Sequence, residues 1–362
     1  MVDSQFDVGI IGIGNAAHVH AMAIDEVTNA RLVAGSCRTE PKGRTFATQY
    51  DCEWYPSAEA LLEGADPDVV TLCTPSGAHL EPALAAFEHG VHVLVEKPLE
   101  ISGERIDRMA AAAEKRDVRL GGIFQHRYNP VVQAVQQAAE TGRFGDLAVA
   151  NAYVPWWRDD EYYTGSWKGT KELDGGGALM NQSIHGVDVV QWLAASAMEL
   201  DGDVNPVEEV MAYVGRTAHD DSLLEVEDTA VAILRYRDGT LGQLLGATSM
   251  YPGFLKRIQL SGRDGTAEIR EDELVTWEFR ESRPEDDETY ERFDATETEG
   301  GAGSADPTAI SYEHHAQNIR DFVRAVAADE PFMLDPSEAR KSVDIIEAVY
   351  ESAERNEPVR PD

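Results

Sequence analysis

The chain has 362 residues, with 66 acidic against 31 basic side chains and a formal net charge of −35. That length exceeds one ordinary core and suits two domains of about 120–200 residues each, while 43% hydrophobic residues exclude wholesale disorder. So acidic a chain repels DNA, RNA and anionic membranes, which removes them as expected partners.

From Phe6 to about Phe124, short apolar runs alternate with helical stretches. Strands are predicted at Phe6–Ile11, Arg31–Gly35, Asp68–Cys73, Val91–Val95 and Arg119–Phe124. Helices are predicted near Ala16–Val27, Lys42–Gln49, Ala58–Leu62, Glu81–His89 and Gly103–Arg116. Near-continuous apolar strands alternating with helices indicate a parallel sheet covered on both faces. Pro130 suits the first position of a helix running to about Glu140. Asp146–Trp157 then alternates like a strand, and Gly175–Ala195 reads as a glycine-rich entry into a helix. Val207–Gly215, Val226–Arg237, Thr240–Met250, Leu255–Leu260 and Thr266–Arg270 follow as consecutive strands, with Asp238-Gly239 as a hairpin turn. Successive strands without intervening helices predict an antiparallel sheet and an α+β second domain. Glu281–Asp306, rich in acids, reads as a solvated loop, and two helices close the chain near Ile310–Ala327 and Ser337–Ala353.

No apolar run approaches the roughly 20 residues of a membrane helix, and Met1–Asp7 carries two acids and no base, unlike a secretory leader. Cys37, Cys52 and Cys73 lack CxxC spacing, so neither a disulfide scaffold nor a structural zinc site is expected. No metal is demanded elsewhere, and a cytoplasmic protein is the expectation. Lys supplies only 7 of the 31 basic residues. Excess acid with few lysines suits concentrated salt, where the Debye length falls to about 3 Å and self-repulsion is screened.

Gly12-Ile13-Gly14-Asn15-Ala16-Ala17 fits the G-x-G-x-x-G/A fingerprint between a first strand and a first helix. Gly12 permits the tight turn, Gly14 lets the backbone approach a pyrophosphate, and Ala17 keeps the helix close to the sheet. Asn15 opens that helix, whose amino terminus supplies donors for an anion. The second strand ends Ser36-Cys37-Arg38, without the carboxylate that would bind a ribose 2′-hydroxyl. Arg38 can pair with a 2′-phosphate, so NADP is favoured over NAD. Thr74-Pro75 and Glu96-Lys97-Pro98 end two further strands at the carboxyl edge of the sheet, where open α/β folds bind ligands. On the glycine-rich helix Asn181 and His185 stand four apart on one face. An imidazole of ordinary pKa near 6.5 suits proton transfer near neutrality, and Asn181 can orient it or bind a substrate hydroxyl. Trp156, Trp157, Arg158, Tyr162, Tyr163, Trp167, Lys168 and Lys171 form an aromatic and basic stretch just before that helix. Aromatic faces suit sugar rings, and a local basic cluster suits a carboxylate or phosphate. Arg127 and Tyr128 are further candidates for lining the substrate site.

These motifs together, with Gly175-Gly176-Gly177-Ala178-Leu179-Met180-Asn181-Gln182-Ser183-Ile184-His185, resemble the Gfo/Idh/MocA oxidoreductases over nearly the whole chain. The resemblance implies a Rossmann domain over residues 1–124, with the closing helix 336–354 packing back on it. It implies an α+β substrate and oligomerisation domain over residues 125–335, built on a large, mostly antiparallel open-faced sheet, and homodimers or homotetramers joined through that sheet. It also implies that Lys97 and His185 are the catalytic pair. Many inositol dehydrogenase-like members carry Asp where this chain has Asn181. With Trp167-Lys168-Gly169-Thr170 upstream, that departure resembles the branch containing sugar-nucleotide 3-dehydrogenases. The implied activity is NAD(P)-dependent oxidation of a secondary hydroxyl of a sugar, sugar derivative or inositol. Two alternatives stand beside it: a redox-neutral glycosidase using retained NAD, and a non-catalytic dinucleotide sensor.

Overall fold

The computed structural model describes residues 5–200, 203–294 and 312–362. Contacts divide the chain into two units, Met1–Gln125 with Ile310–Arg340, and His126–Ala309 with Lys341–Asp362.

The first unit is a six-stranded parallel sheet in the order β3-β2-β1-β4-β5-β6. Its strands are β1 (Phe6–Ile11), β2 (Ala30–Ser36), β3 (Glu53–Tyr55), β4 (Val69–Leu72), β5 (His92–Val95) and β6 (Leu120–Gly122). Between them run α1 (Asn15–Asp25), α2 (Glu40–Tyr50), α3 (Ala58–Ala65), α4 (Leu80–Glu88) and α5 (Gly103–Arg116). Val8, Ile10, Val70, Leu72 and the apolar residues of Val93–Val95 are fully buried, as a sheet covered on both faces requires. Strand order reverses between β1 and β4, which opens a ligand crevice at the carboxyl ends of these strands. Strand β3, absent from the sequence reading, is three residues long and too short to show periodicity. α10 (Glu313–Ala328) also belongs to this unit; Asn318 Oδ1 accepts the Phe124 N–H at 3.1 Å, and Ile319, Phe322 and Val323 are buried. The expected boundary at residue 335 therefore shifts, because residues 310–340 count with the first unit.

The second unit carries a seven-stranded sheet in the order β13-β12-β11-β7-β10-β9-β8. The strands are β7 (Leu147–Pro155), β8 (Val207–Gly215), β9 (Thr229–Tyr236), β10 (Leu241–Ala247), β11 (Arg257–Gly262), β12 (Gly265–Arg270) and β13 (Glu273–Phe279). Among the described residues, β7–β10 is the one parallel strand pair of this sheet. Gly239, with φ +92°, makes the expected hairpin turn between β9 and β10. α6 (Pro130–Glu140), the short α7 (Asp160–Tyr163) and α8 (Ile184–Ser196) belong here, and α8 packs on β7 and β11. Along β9 Ala230, Ala232, Leu234 and Tyr236 are buried while Val231 and Ile233 are exposed, so one sheet face is covered and the other open.

Two expectations change here. The solvated loop over Glu281–Asp306 contains α9 (Pro284–Phe293); Pro284 occupies its first turn, and the Asp286 carboxylate accepts the Arg283 N–H at 2.6 Å. Glu285, Asp286 and Asp287 complement the positive end of that helix, so the acids read as solvation serve helix initiation. The remainder, residues 295–306, lies outside the described residues. The closing helix, α11 (Pro336–Arg355), starts in the first unit, but most of it belongs to the second. There Tyr350 bonds Glu227, and the Ser352 hydroxyl accepts the Ala212 N–H. No helix among the described residues is long and apolar enough to cross a membrane.

A buried ion pair ties the start of the second unit to α8. Arg127 donates from Nε to Asp188 Oδ2 at 2.8 Å and from Nη2 to Oδ1 at 2.6 Å, with both side chains 0% exposed. The guanidinium also lies 4.9 Å over the Trp192 ring. Truncating one partner strands the other charge in the core. Asp188→Ala is expected to cost about 3–5 kcal/mol, read as a lowered urea midpoint; a wild-type midpoint would refute this account.

Candidate active site

In the first unit the turn after β1 is shaped by backbone contact. Gly12 has φ +96°, and a Cβ there would lie 2.7–2.9 Å from backbone atoms of Cys73 and Thr74, so only glycine fits. Gly14 caps α1, and a Cβ on it would meet nothing within 4 Å. The cap has no side-chain hydrogen bond, and the first turn of α1 holds no acid. That leaves an open, positively polarised helix end at the strand-order reversal, which fits a dinucleotide pyrophosphate. Ala17 is buried against the sheet, and Asn15 is exposed at the helix start. Ser36 is buried, while Arg38 is exposed just beyond β2.

The loops after β4 and β5 stand beside this turn at the same sheet edge. Thr74 donates its hydroxyl to the Ala78 carbonyl at 3.0 Å, and Pro75 begins a short 3₁₀ turn. His79 bridges both loops, with Nε2 3.0 Å from the Thr74 carbonyl oxygen and Nδ1 3.1 Å from that of Pro98. Lys97 is half-buried and precedes a cis Pro98. Glu96, expected among the cofactor contacts, turns its carboxylate to His20 on α1 at 2.9 Å.

In the second unit the glycine run leads into a π-helical turn, Ala178–Ser183, which carries Asn181 and passes directly into α8 with His185. A buried carboxylate holds this turn. Glu227 accepts the N–H of Gly177 and of Leu179, each at 2.9 Å, and the Tyr350 hydroxyl at 3.0 Å. A Cβ on Gly177 would sit 1.9 Å from the Glu227 carbonyl oxygen, so the run of glycines lets the chain pass against this residue. Burial pushes the Glu227 carboxyl up, against the lowering effect of those donors.

Asn181 is 8% exposed and His185 9%. The Asn181 amide donates to the carboxylate of Asp174, which also accepts the Gly169 N–H at 2.7 Å. His185 stacks on His126, with centroids 4.3 Å apart and planes at 23°, and both line a small cavity with Asn129, Lys256, Glu271 and Asp272. Arg158 is buried; its Nε donates to Gln182 Oε1 at 3.1 Å, and its guanidinium lies 5.1 Å over Trp156 and 5.5 Å over Tyr162. Lys168 Nζ sits 3.6 Å over the Tyr162 ring, and the Tyr162 hydroxyl accepts from Gln182 Nε2 at 2.7 Å. Burial lowers the Lys168 ammonium to about 8; Asp174 opposes this and Arg158 reinforces it.

The structure therefore gathers Arg158, Lys168 and Asn181 around Gln182, with Trp167 half-buried on the adjoining loop. Three expected ligand residues serve packing instead. Arg127 is committed to Asp188, Tyr128 is 7% exposed, and Tyr163 gives its hydroxyl to Thr248 at 2.9 Å while packing on Leu224 and Val226. Asp174, Gln182, His126 and Glu227 were missed. Asp174 directly precedes the glycines and Gln182 directly follows Asn181, which were available signals; His126 and Glu227 arrive only through folding.

Residues 6–124 match the oxidoreductase family profile described as a Gfo/Idh/MocA NAD-binding Rossmann fold, and residues 132–268 match that family's C-terminal domain. The chain belongs to the Gfo/Idh/MocA family. Within it, this member is 27% identical over 266 residues to the myo-inositol 2-dehydrogenase of Thermotoga maritima, covering 71% of this chain and 73% of that one. It is 31% identical over 201 residues to the D-glucoside 3-dehydrogenase of Escherichia coli, 53% of this chain and 55% of that protein. Its fold is similar to the crystal structure of the WlbA dehydrogenase from Bordetella pertussis in complex with NADH and UDP-GlcNAcA, at TM-score 0.87, 29% identity and 99% of each chain.

Proposed function

We propose that this oxidoreductase uses NAD(P) to oxidise a secondary hydroxyl of a sugar, sugar derivative or inositol, and that its substrate bears an anionic group. The observation that carries this reading is the placement of Arg158 and Lys168 on aromatic faces beside Asn181, in a chain of net charge −35. Two cations held on neighbouring aromatic faces favour an anion, and the Trp156 and Tyr162 rings favour a sugar face. The inositol and glucoside dehydrogenases among the relatives, and the sugar nucleotide bound to WlbA, support the same class.

Bound NAD(P) supplies the hydride acceptor. His185 removes the hydroxyl proton as general base, and Lys97 hydrogen-bonds the same oxygen and stabilises developing alkoxide charge. The two can exchange roles. Asn181, fixed by Asp174, orients the hydroxyl or the imidazole. The absence of a carboxylate after β2 and the exposed Arg38 support NADP; the relative solved with NADH supports NAD. Tyr213, Val231, Ile233 and Leu241, exposed along the open sheet face, support a homodimer or homotetramer. The lysine-poor acidic composition supports a cytoplasm rich in salt.

The deciding test is a screen of neutral and acidic sugars, inositols and sugar nucleotides with both cofactors, in low and molar salt, followed at the reduced-nicotinamide absorbance. NADP is expected to give the higher kcat/KM, and Arg38→Ala to erase that preference; a higher value with NAD would reverse the assignment. Glycoside cleavage without net cofactor reduction would assign the redox-neutral reading instead. Lys97→Met and His185→Ala are each expected to lower turnover more than about 100-fold with cofactor binding kept, and near-normal turnover in either would reject its role. A lysine with pKa about 8 is charged below that pH and neutral above it. Affinity for an acidic substrate should therefore fall as pH rises through 8, and Lys168→Arg should flatten that fall; equal pH dependence in both proteins would remove Lys168 from the site.

A further inference from the structure

Glu96 stands one residue before Lys97, yet the chemistry above gives it no task. Its side chain is 13% exposed, and its two oxygens are divided between partners. Oε1 lies 2.9 Å from Nε2 of His20 and 3.5 Å from Nε2 of His315, while Oε2 accepts the Lys97 N–H at 3.1 Å. Both imidazoles are buried, at 0% and 3% exposure, with ring centroids 5.6 Å apart. All three residues belong to the first unit.

The protonation state follows from the contacts. His20 Nδ1 is buried with no hydrogen-bond partner among the described residues. A proton there would be a buried donor without an acceptor, so His20 is neutral and carries its proton on Nε2, facing Glu96. Burial alone would raise the Glu96 carboxyl, but hydrogen bonds from His20 and His315 outweigh it and hold the group well below the usual carboxylate range. The ligand atoms of the three residues lie within 4.8 Å of one another, a spacing a metal ion could also use. Against that, the Nε2–H directed at Oε1 leaves His20 no lone pair there, and the bare Nδ1 lacks the outer acceptor that metal-bound imidazoles take. The cluster is a hydrogen-bonded carboxylate whose negative charge a neutral imidazole does not cancel.

Strand β5 lies beyond the switch point, in the half of a Rossmann sheet that takes the nicotinamide mononucleotide. The nicotinamide ring is cationic when oxidised and neutral when reduced. We infer that Glu96, clamped by His20 and His315, binds the oxidised coenzyme in preference to the reduced one and so biases the bound pair towards hydride acceptance. This rests on the dinucleotide-binding reading and adds to it a charge-bearing contact with two positioning residues behind it.

The test uses the full chain and measures Kd for NAD+ and NADH separately. Glu96→Gln keeps the shape and removes the charge, and it should raise the ratio Kd(NAD+)/Kd(NADH) about tenfold while NADH affinity is retained. His20→Leu should raise the ratio in the same direction, and His20→Gln, which still donates to Glu96, should restore it. A merely structural role would weaken both forms equally, and that result, or an unchanged ratio in either folded variant, overturns the inference. One zinc per purified chain, lost in His20→Leu, overturns it in favour of a metal site. Failure of the wild-type chain to bind either form would instead refute dinucleotide binding itself.

Discussion

The arrangement of candidate groups in the second unit depends on one buried carboxylate. Glu227 receives two backbone N–H groups of the segment that carries Asn181, together with a phenol from the closing helix. A π-helical turn does not close its hydrogen bonds as an α-helix does, and a charged acceptor at its entry compensates. Charge-assisted bonds of this kind contribute about 1.5–3 kcal/mol each. The glycines are the steric half of the same device, because a side chain at Gly177 would collide with the backbone of the residue that supplies the carboxylate. The turn ends at Ser183, and His185 enters α8 with its position set by what Glu227 holds.

Charge is distributed unevenly over this family member. Most acids are solvated, whereas the few buried ones each have a defined set of donors: Asp188 with Arg127, Asp174 with Asn181 and the Gly169 N–H, Asp228 with His219 and the Thr217 hydroxyl. Cations are scarce, and those near Asn181 rest on π faces. Packing on an aromatic ring desolvates an ammonium without neutralising it, and this is why Lys168 titrates lower than an exposed lysine.

Much of the fold was legible because its signals are local. Gly12-x-Gly14 after an apolar strand, Pro130 at a helix start and Asp238-Gly239 between strands act through neighbouring backbone, and each appears where expected. Strand β13 (Glu273–Phe279) was missed although it is seven residues long, and two other elements were short or masked by composition. β3 is three residues long, and α9 begins at Pro284 inside an acidic stretch that reads as solvent-facing. Among site residues, Arg127 looked like a ligand cation because its counter-ion is 61 positions away in sequence. At Glu96 nothing in the neighbouring sequence pointed to His20 or His315, the partners that hold its carboxylate.

By itself the sequence determined the order of elements, the family, and which residue types stand at the carboxyl edge of the sheet and at the entry to α8. Periodicity, turn chemistry and motif spacing act over a few residues and survive in one dimension. Only the tertiary structure decided which partner each of these charges takes. Arg127 is consumed by Asp188, while Arg158 and Lys168 sit on aromatic faces, and Glu227 and His126 join the site from afar. The reason is that a buried charge is governed by desolvation and by partners within a few ångströms, and those partners are assembled by packing rather than by proximity along the chain.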